Sequence, residues 1–378
     1  MSQSPYSIKI YFRKLRDPRV RGRKKHLLLD LIIITICGTI CGCNDWQEIA
    51  TFARGRYDWL KKFLRLPSGV PSHDTLERVF DRLDPEQFQA CFRDWMNALH
   101  EALGLSPIAI DGKTLRGSGV GGGQTLHLVS AWATANGLSL GQVAVAEKSN
   151  EITAIPKLLE LLTLKGALVT IDAMGCQKAI AAKIVERKGN YILTVKENQE
   201  HLLTDIQAAI GRAAESNSAE VKHDTYETRE RGHGREEYRC YTVLQTTDGI
   251  RNADDWASLT TIGFCYSERT VNGVTSEELR YFIGSKKASA KVYGQALRNH
   301  WGIENQLHWQ LDVCFDEDKN RVSKKHGAEN LALVRRLALS LLKQHPGKSS
   351  IKCKRLQAAL DPNFLEEIIR YDGNGGNL

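Results

Sequence analysis

What this chain lacks narrows it before any motif is read. Its nine cysteines are odd in number and scattered, with no CxxC pair. That pattern excludes a zinc knuckle and a disulfide framework and is expected of a reducing cytoplasm. Proline is scarce, at nine residues, and no internal repeat or low-complexity tract is present, which excludes repeat arrays and Pro-rich spacers. No apolar run reaches the roughly twenty residues of a membrane span. The nearest, Leu27 to Cys43, includes Asp30, Gly38 and Gly42 and has no cleavage-site pattern after it. We expect a buried helix there and no membrane partner. A P-loop is absent too: Gly112-Lys113-Thr114 has Pro107 where GxxxxGK[ST] needs its first glycine. No helix-turn-helix signature is clear enough to name.

What is present is a chain of 378 residues, long enough for two or three domains, with 42% hydrophobic and 25% charged residues. Its formal charge of +8 is unevenly placed. Residues 1–26 hold Lys9, Arg13, Lys14, Arg16, Arg19, Arg21, Arg23, Lys24 and Lys25 against the single acid Asp17. A block of this kind suits contact with a phosphate backbone, and a solvated, flexible N-terminus is an equal alternative.

Residues 1–105 read as helical. Leu27–Ile40 and Asp45–Phe63 are expected as helices, the second capped by Asn44 or Asp45, and Asp84-Pro85-Glu86 opens another on which Phe88, Phe92, Trp95 and Leu99 form a core stripe. After Pro107 the periodicity changes. Ile108–Asp111, Leu126–Trp132 and Leu140–Ala146 read as strands, the latter two joined by Asn136-Gly137. A helix over 152–162, a strand ending at Ile171, a helix over 177–188 and a strand over 191–195 follow. Three meandering strands, then strand and helix in alternation, is the order of an α/β fold with a ribonuclease-H-like catalytic core. Residues 220–285 are β-rich again, a helix is expected from about Ala288, and Ala328–Lys343 is a strong helix before a Gly/Asn tail.

Two of the core strands end in an acid: Asp111 after Ile108-Ala109-Ile110, and Asp172 after Leu168-Val169-Thr170-Ile171. A third carboxylate, Glu304, sits on a later helix between His300 and His308. Phosphodiester chemistry places charge on attacking, leaving and non-bridging oxygens, and carboxylates holding two hard cations about 3.5–4 Å apart meet that need. Asp111-Gly112 could instead start a turn, and Glu304 could be a surface acid. A zinc or iron site on His300, Glu304 and His308 is a rival, but it lacks the HExxH placement and leaves both aspartates unexplained. Lys113 and Arg116 read as phosphate ligands beside Asp111, and the two histidines as packing and orienting groups with phosphate contact. Trp301 and Trp309 read as core.

At these residues the chain resembles a known family. Asp111–Arg116, Glu147–Pro156, Thr170–Gln177, His233–Glu237, Arg298–Trp301 with Ile303–Asn305, and Leu307–Trp309 with Leu311–Val313 are similar to the H-repeat-associated transposases of bacterial insertion sequences. The resemblance spans nearly the whole chain. It implies a DDE-type transposase that cleaves and joins DNA strands, with Asp111, Asp172 and Glu304 as catalytic and metal-binding residues and two Mg²⁺ ions for which Mn²⁺ can substitute. It further implies DNA partners (terminal inverted repeats and target DNA), a homodimer in the synaptic complex, and a bacterial cytoplasmic protein that joins the nucleoid when bound. The wider superfamily's Tyr, Arg, Glu, Lys pattern is matched in part by Tyr293, Arg298 and Glu304, but Leu311 stands where Lys is expected. The expected layout is an N-terminal helical domain for end recognition (1–105), a core in two parts (106–219 and 287–345), a β-rich insertion (220–286) and a tail (346–378). DNA contact is expected from Arg13, Lys14, Arg16, Arg19, Arg21, Arg23, Lys24, Lys25, Lys113, Arg116, Arg298, His300 and His308. An inactive DNA-binding relic or regulator, and a structure-selective nuclease, are the alternatives.

Overall fold

In a computed structural model, which describes residues 8–20, 22, 24–104, 106–119, 125–145, 151–215, 222–232 and 234–370, the chain opens with helices. These are α1 (Ile8–Phe12), α2 (Leu28–Ile40), α3 (Trp46–Gly55), α4 (Tyr57–Leu60), α5 (His73–Phe80) and α6 (Pro85–Ala102). Strands β1 (Ile108–Leu115), β2 (Leu126–Ala133) and β3 (Leu138–Val145) follow, then α7 (Glu151–Leu161), β4 (Leu168–Ile171), α8 (Lys178–Glu186), β5 (Asn190–Val195) and α9 (Glu200–Glu215). Next come β6 (His223–Gly232), β7 (Arg235–Leu244), β8 (Thr261–Val271), β9 (Val274–Gly284) and α10 (Ala290–Ile303). The chain closes with α11 (Trp309–Phe315), α12 (Gly327–Gln344), α13 (Ile351–Leu360) and α14 (Pro362–Arg370). Arg21, Arg23, Glu147–Asn150, His233, most of the glycine run after Gly119 and the tail beyond Arg370 lie outside the described residues.

The fold is mixed α/β and divides into two units: Met1–Leu105, Gly112–Asn150 and Ile303–Leu378 in one, Ser106–Asp111 and Glu151–Gly302 in the other. In the first unit, α2 is buried without interruption from Asp30 to Ile40, as its unbroken apolar run demands. Asp30 has its reason in a loop: its carboxylate accepts the Leu66 backbone N–H at 3.0 Å, where Leu66 sits at a left-handed φ of 40°. Asp84 caps α6 through the Glu86 and Gln87 amides, with Pro85 in the first turn. The expected stripe Phe88, Phe92, Trp95, Leu99 is buried, and Phe12 meets Phe88 and Trp95 edge-on at 5.6 and 6.2 Å, anchoring the root of the basic arm. The stretch expected as one helix from Asp45 to Phe63 is two. Arg56 leaves helical geometry (φ −112°, ψ 20°), and its guanidinium donates to the carbonyls of Ala359 and Leu360 at the end of α13. The β2–β3 hairpin turns at Asn136-Gly137 as expected, with Gly137 at φ 65°.

The second unit is built on a sheet in the order β1-β4-β5-β9-β8-β7-β6. β1, β4 and β5 are parallel; β9 joins β5 antiparallel, pairing Leu193 with Ile283. The β-rich segment expected as an insertion therefore continues the core sheet instead of forming one of its own. Its first strand, β6, was not read from the sequence because its residues are mostly exposed on both faces and carry no apolar alternation. Behind this sheet, Ile192, Tyr241, Val243, Phe282, Ala290, Tyr293, Ala296 and Leu297 share one core. Phe282 and Tyr293 stack at 5.5 Å and the Tyr293 hydroxyl donates to Lys286 O at 2.7 Å. That core seats α10 on the sheet.

Candidate active site

The site begins with strand register. β1 and β4 run parallel with Ala109 opposite Thr170 and Ile110 opposite Ile171. One residue further along each strand stands an acid, Asp111 and Asp172. Adjacent strands lie roughly 4.8 Å apart, so the two acids follow directly on a paired position, beside the carboxyl end of β4, the kind of place where open α/β sheets bind ligands. β1 continues to Leu115, so Asp111-Gly112 is strand and the turn reading fails. β4 stops at Ile171, and Asp172 caps the short helical turn Ala173–Gly175, accepting the Gly175 N–H at 3.4 Å. Gly175 has to be glycine, because a Cβ there would collide with Ile171 Cγ2. Asp111 is half-buried and Asp172 exposed.

His300, near the end of α10, faces this pair from within the same unit. It is 5% exposed, and its Nδ1 is 3.0 Å from Thr170 Oγ1 on β4. Burial pushes its pKa down, while the carboxylates of Asp111 and Asp172 pull the other way and do not prevail. A neutral imidazole is the result. It adds no positive charge beside the acids and leaves their negative field intact for a cation.

Glu304 belongs to the first unit. α10 passes directly into a π-helical turn, Glu304–His308, and then into α11. The π register is explicit: the Trp309 N–H donates to Glu304 O. Such turns are rare and concentrate at functional sites. Glu304 is exposed and His308 is 3% exposed. Within this unit Lys113 Nζ donates to His308 O at 3.3 Å and to the Asp312 carboxylate, and it forms an ion pair with Glu317 Oε2 at 3.4 Å. Arg336 Nη1 donates to Glu317 Oε1 at 2.9 Å with both side chains fully buried. Burial opposes charge on Glu317, yet Arg336 and Lys113 hold its carboxyl below the ordinary range. Burial, helped by the neighbouring charges of Arg336 and Arg355, pushes Arg335 down to about 10 against the pull of Glu317.

With this geometry in place, likeness to known proteins decides the family. The family described as Transposase DDE domain matches residues 103–341, and the one described as DDE_Tnp_1-associated matches 10–96. The chain belongs to the DDE transposase family. A putative transposase of Escherichia coli O157:H7, YncI, is 40% identical over 366 residues, 95% of this chain and 93% of its own. The H repeat-associated putative transposase YhhI of E. coli K12 is 36% identical, with 94% and 96% covered. A shorter relative is called inactive transposase YbfQ, 36% identical over 63 residues, 17% of this chain and 75% of its own. A solved piggyBac transposase synaptic complex with hairpin DNA covers 97% of this chain and 81% of its own at 12% identity and a TM-score of 0.36, too low to bear on the fold.

DDE transposases as a family are DNA-cleaving enzymes that use a divalent metal. The donor set here fits such an ion. Asp111 on β1 and Asp172 just past the end of β4 offer hard carboxylate oxygens, and burial holds the pKa of His300 down beside them. Of the other expected residues in this transposase, Arg13, Lys14, Arg16, Lys24 and Lys25 are exposed. Arg19 is half-buried and spent locally, pairing with Asp17 at 2.9 Å and donating to His26 O at 2.8 Å. Arg116 is exposed, 3.8 Å from Asp318. Arg298 pairs with Glu230 at 2.9 Å, and Lys113 is buried in the network above. Trp301 lies under Arg280 at 3.9 Å. Trp309, expected in the core, is 52% exposed, because it follows the π turn and faces outward. Among the described residues no helix is long and apolar enough to cross a membrane. Sequence reasoning missed Thr170, Asp312, Glu317 and Arg336. Thr170 left one trace, a hydroxyl inside an apolar strand.

Proposed function

We propose that this protein cleaves and joins DNA at the ends of an insertion sequence, with Asp111, Asp172 and Glu304 as its carboxylate triad on a ribonuclease-H-like core. One observation supports the reading most: the parallel register pairs Ile110 with Ile171, the residues immediately before Asp111 and Asp172. In the first step a water oxygen bonds to phosphorus in line and the 3′ oxygen leaves with a proton. In the second, that 3′-hydroxyl attacks a target phosphate and displaces its 3′ oxygen. Asp111 and Asp172 orient the reacting phosphate's surroundings from rigid strands, neutral His300 keeps their charge undiluted, and Glu304 completes the donor set from the helix. When bound, two Mg²⁺ or Mn²⁺ ions would stabilise charge on the attacking, leaving and non-bridging oxygens.

The N-terminal helices and the exposed cations of the arm hold the end sequence through its phosphates, and exposed Trp309 offers a face on which a base can stack. A homodimer brings two ends together, and the protein acts in the cytoplasm at the nucleoid. The test is strand cleavage of the element's own end by Asp111→Asn, Asp172→Asn and Glu304→Gln. Each should lose at least about a hundredfold in rate, with end affinity within threefold. Full cleavage by any of the three refutes the triad. A second reading, a DNA-binding relic, draws on the relative named inactive transposase YbfQ; end binding without cleavage in Mg²⁺ or Mn²⁺ would replace the first.

A further inference from the structure

We infer that Lys113 is a positioning residue, not a DNA ligand: its buried ammonium holds the π turn that carries Glu304 in register. This rests on the proposed triad and extends it. The Lys113 side chain is 8% exposed, so its charge does not face solvent where a phosphate would arrive. An ammonium has three N–H donors; here it donates to His308 O and the Asp312 carboxylate, and Glu317 Oε2 lies 3.4 Å away as an ion-pair partner. Neutralising Glu317 does not require this lysine, since Arg336 already donates to it. What Lys113 adds is a bond to backbone. His308 is the last residue of the turn that Glu304 begins, and Asp312 lies one helical turn beyond it on α11.

A π turn inserts one extra residue into a helix and competes with the regular α register. Relaxing to that register would rotate Glu304 relative to α11 by about 100°. A charge-assisted bond to the closing carbonyl, braced by the Asp312 carboxylate, opposes that rotation. Lys113 also lies two residues after Asp111 on β1, so one strand supplies both a triad carboxylate and the tie to the turn bearing another.

The experiment compares Lys113→Met and Lys113→Arg in the full-length protein with wild type by three readings. These are the Mn²⁺ concentration for half-maximal single-turnover cleavage, the Kd for an end duplex, and hydrogen exchange across residues 304–312. Arginine keeps a cation between Asp312 and Glu317 but moves the donors, so Lys113→Arg decides the matter should Lys113→Met fail to fold. Expected for both is a rise of roughly tenfold or more in the Mn²⁺ requirement, faster exchange at 304–312, and a Kd within twofold of wild type. A role confined to stability would not move the Mn²⁺ requirement of the folded protein. Unchanged Mn²⁺ dependence with unchanged exchange overturns the inference. So does a weakened Kd with a salt slope smaller by about one, which would make Lys113 a phosphate ligand. Should wild type show no Mn²⁺-dependent cleavage at all, the proposed triad fails, while exchange at 304–312 still tests the tie.

Discussion

At the residue scale, a few buried polar groups lie beside the acids of the proposed triad. Thr170 Oγ1 meets His300 Nδ1 inside a strand with no solvent access, so losing that hydroxyl strands an imidazole nitrogen. Thr170→Val is expected to cost about 1–3 kcal/mol in urea unfolding and to slow cleavage less than Asp172→Asn does. An unchanged unfolding midpoint would show that the contact holds nothing. Glu317 supplies a pH signature. Its folded pKa lies below the ordinary 4.5, since Arg336 and Lys113 outweigh burial. Its contribution to stability is therefore complete above about 4.5 and is lost as pH falls through the lower folded value. Glu317→Gln should cost roughly 3–5 kcal/mol at pH 7 by leaving Arg336 unpaired, and the gap to wild type should narrow in acid. A gap that stays constant down to pH 3 would contradict the assignment.

Elements turn these contacts into a site. α10 is held on the sheet by Tyr293 and Phe282, and a Cβ at Gly284 would run into the Tyr293 ring and hydroxyl. Gly284→Ala is expected to destabilise by about 1–3 kcal/mol, read by chemical denaturation; wild-type stability would mean that α10 is not seated there. Much of this layer was legible in the sequence. Two apolar runs that end in an acid announced Asp111 and Asp172, because a strand interior tolerates no carboxylate without a use. The helices over 28–40, 151–161 and 327–344 followed from apolar spacing. What stayed hidden depended on distant partners. Lys113 reads as a phosphate ligand until Asp312 and Glu317, some two hundred residues later in the chain, draw it inward. The π turn has no sequence code, since it differs from α by one hydrogen-bond step. β6 and the first half of β9 are exposed on both faces, which erases the alternation that marks a half-buried strand.

For the whole molecule, the proposed division between DNA binding and catalysis rests on where the charges lie. Arg13, Lys14 and Arg16 are exposed just beyond Phe12, whose ring is packed on α6. Replacing these three cations with alanine keeps that anchor and should flatten the dependence of log Kd for DNA on log salt by up to about 3. The cleavage rate of fully bound complex should not change; an unaltered slope would place the DNA elsewhere. The proposed triad then turns on whether Asp111, Asp172 and Glu304 share cations. The most direct measurement is Mn²⁺ binding to the protein–end-DNA complex by electron paramagnetic resonance, with wild type beside Asp111→Asn, Asp172→Asn and Glu304→Gln. Wild type is predicted to bind about two ions, and each variant to bind at least about tenfold more weakly. Wild-type Mn²⁺ affinity in any of the three would contradict a shared site.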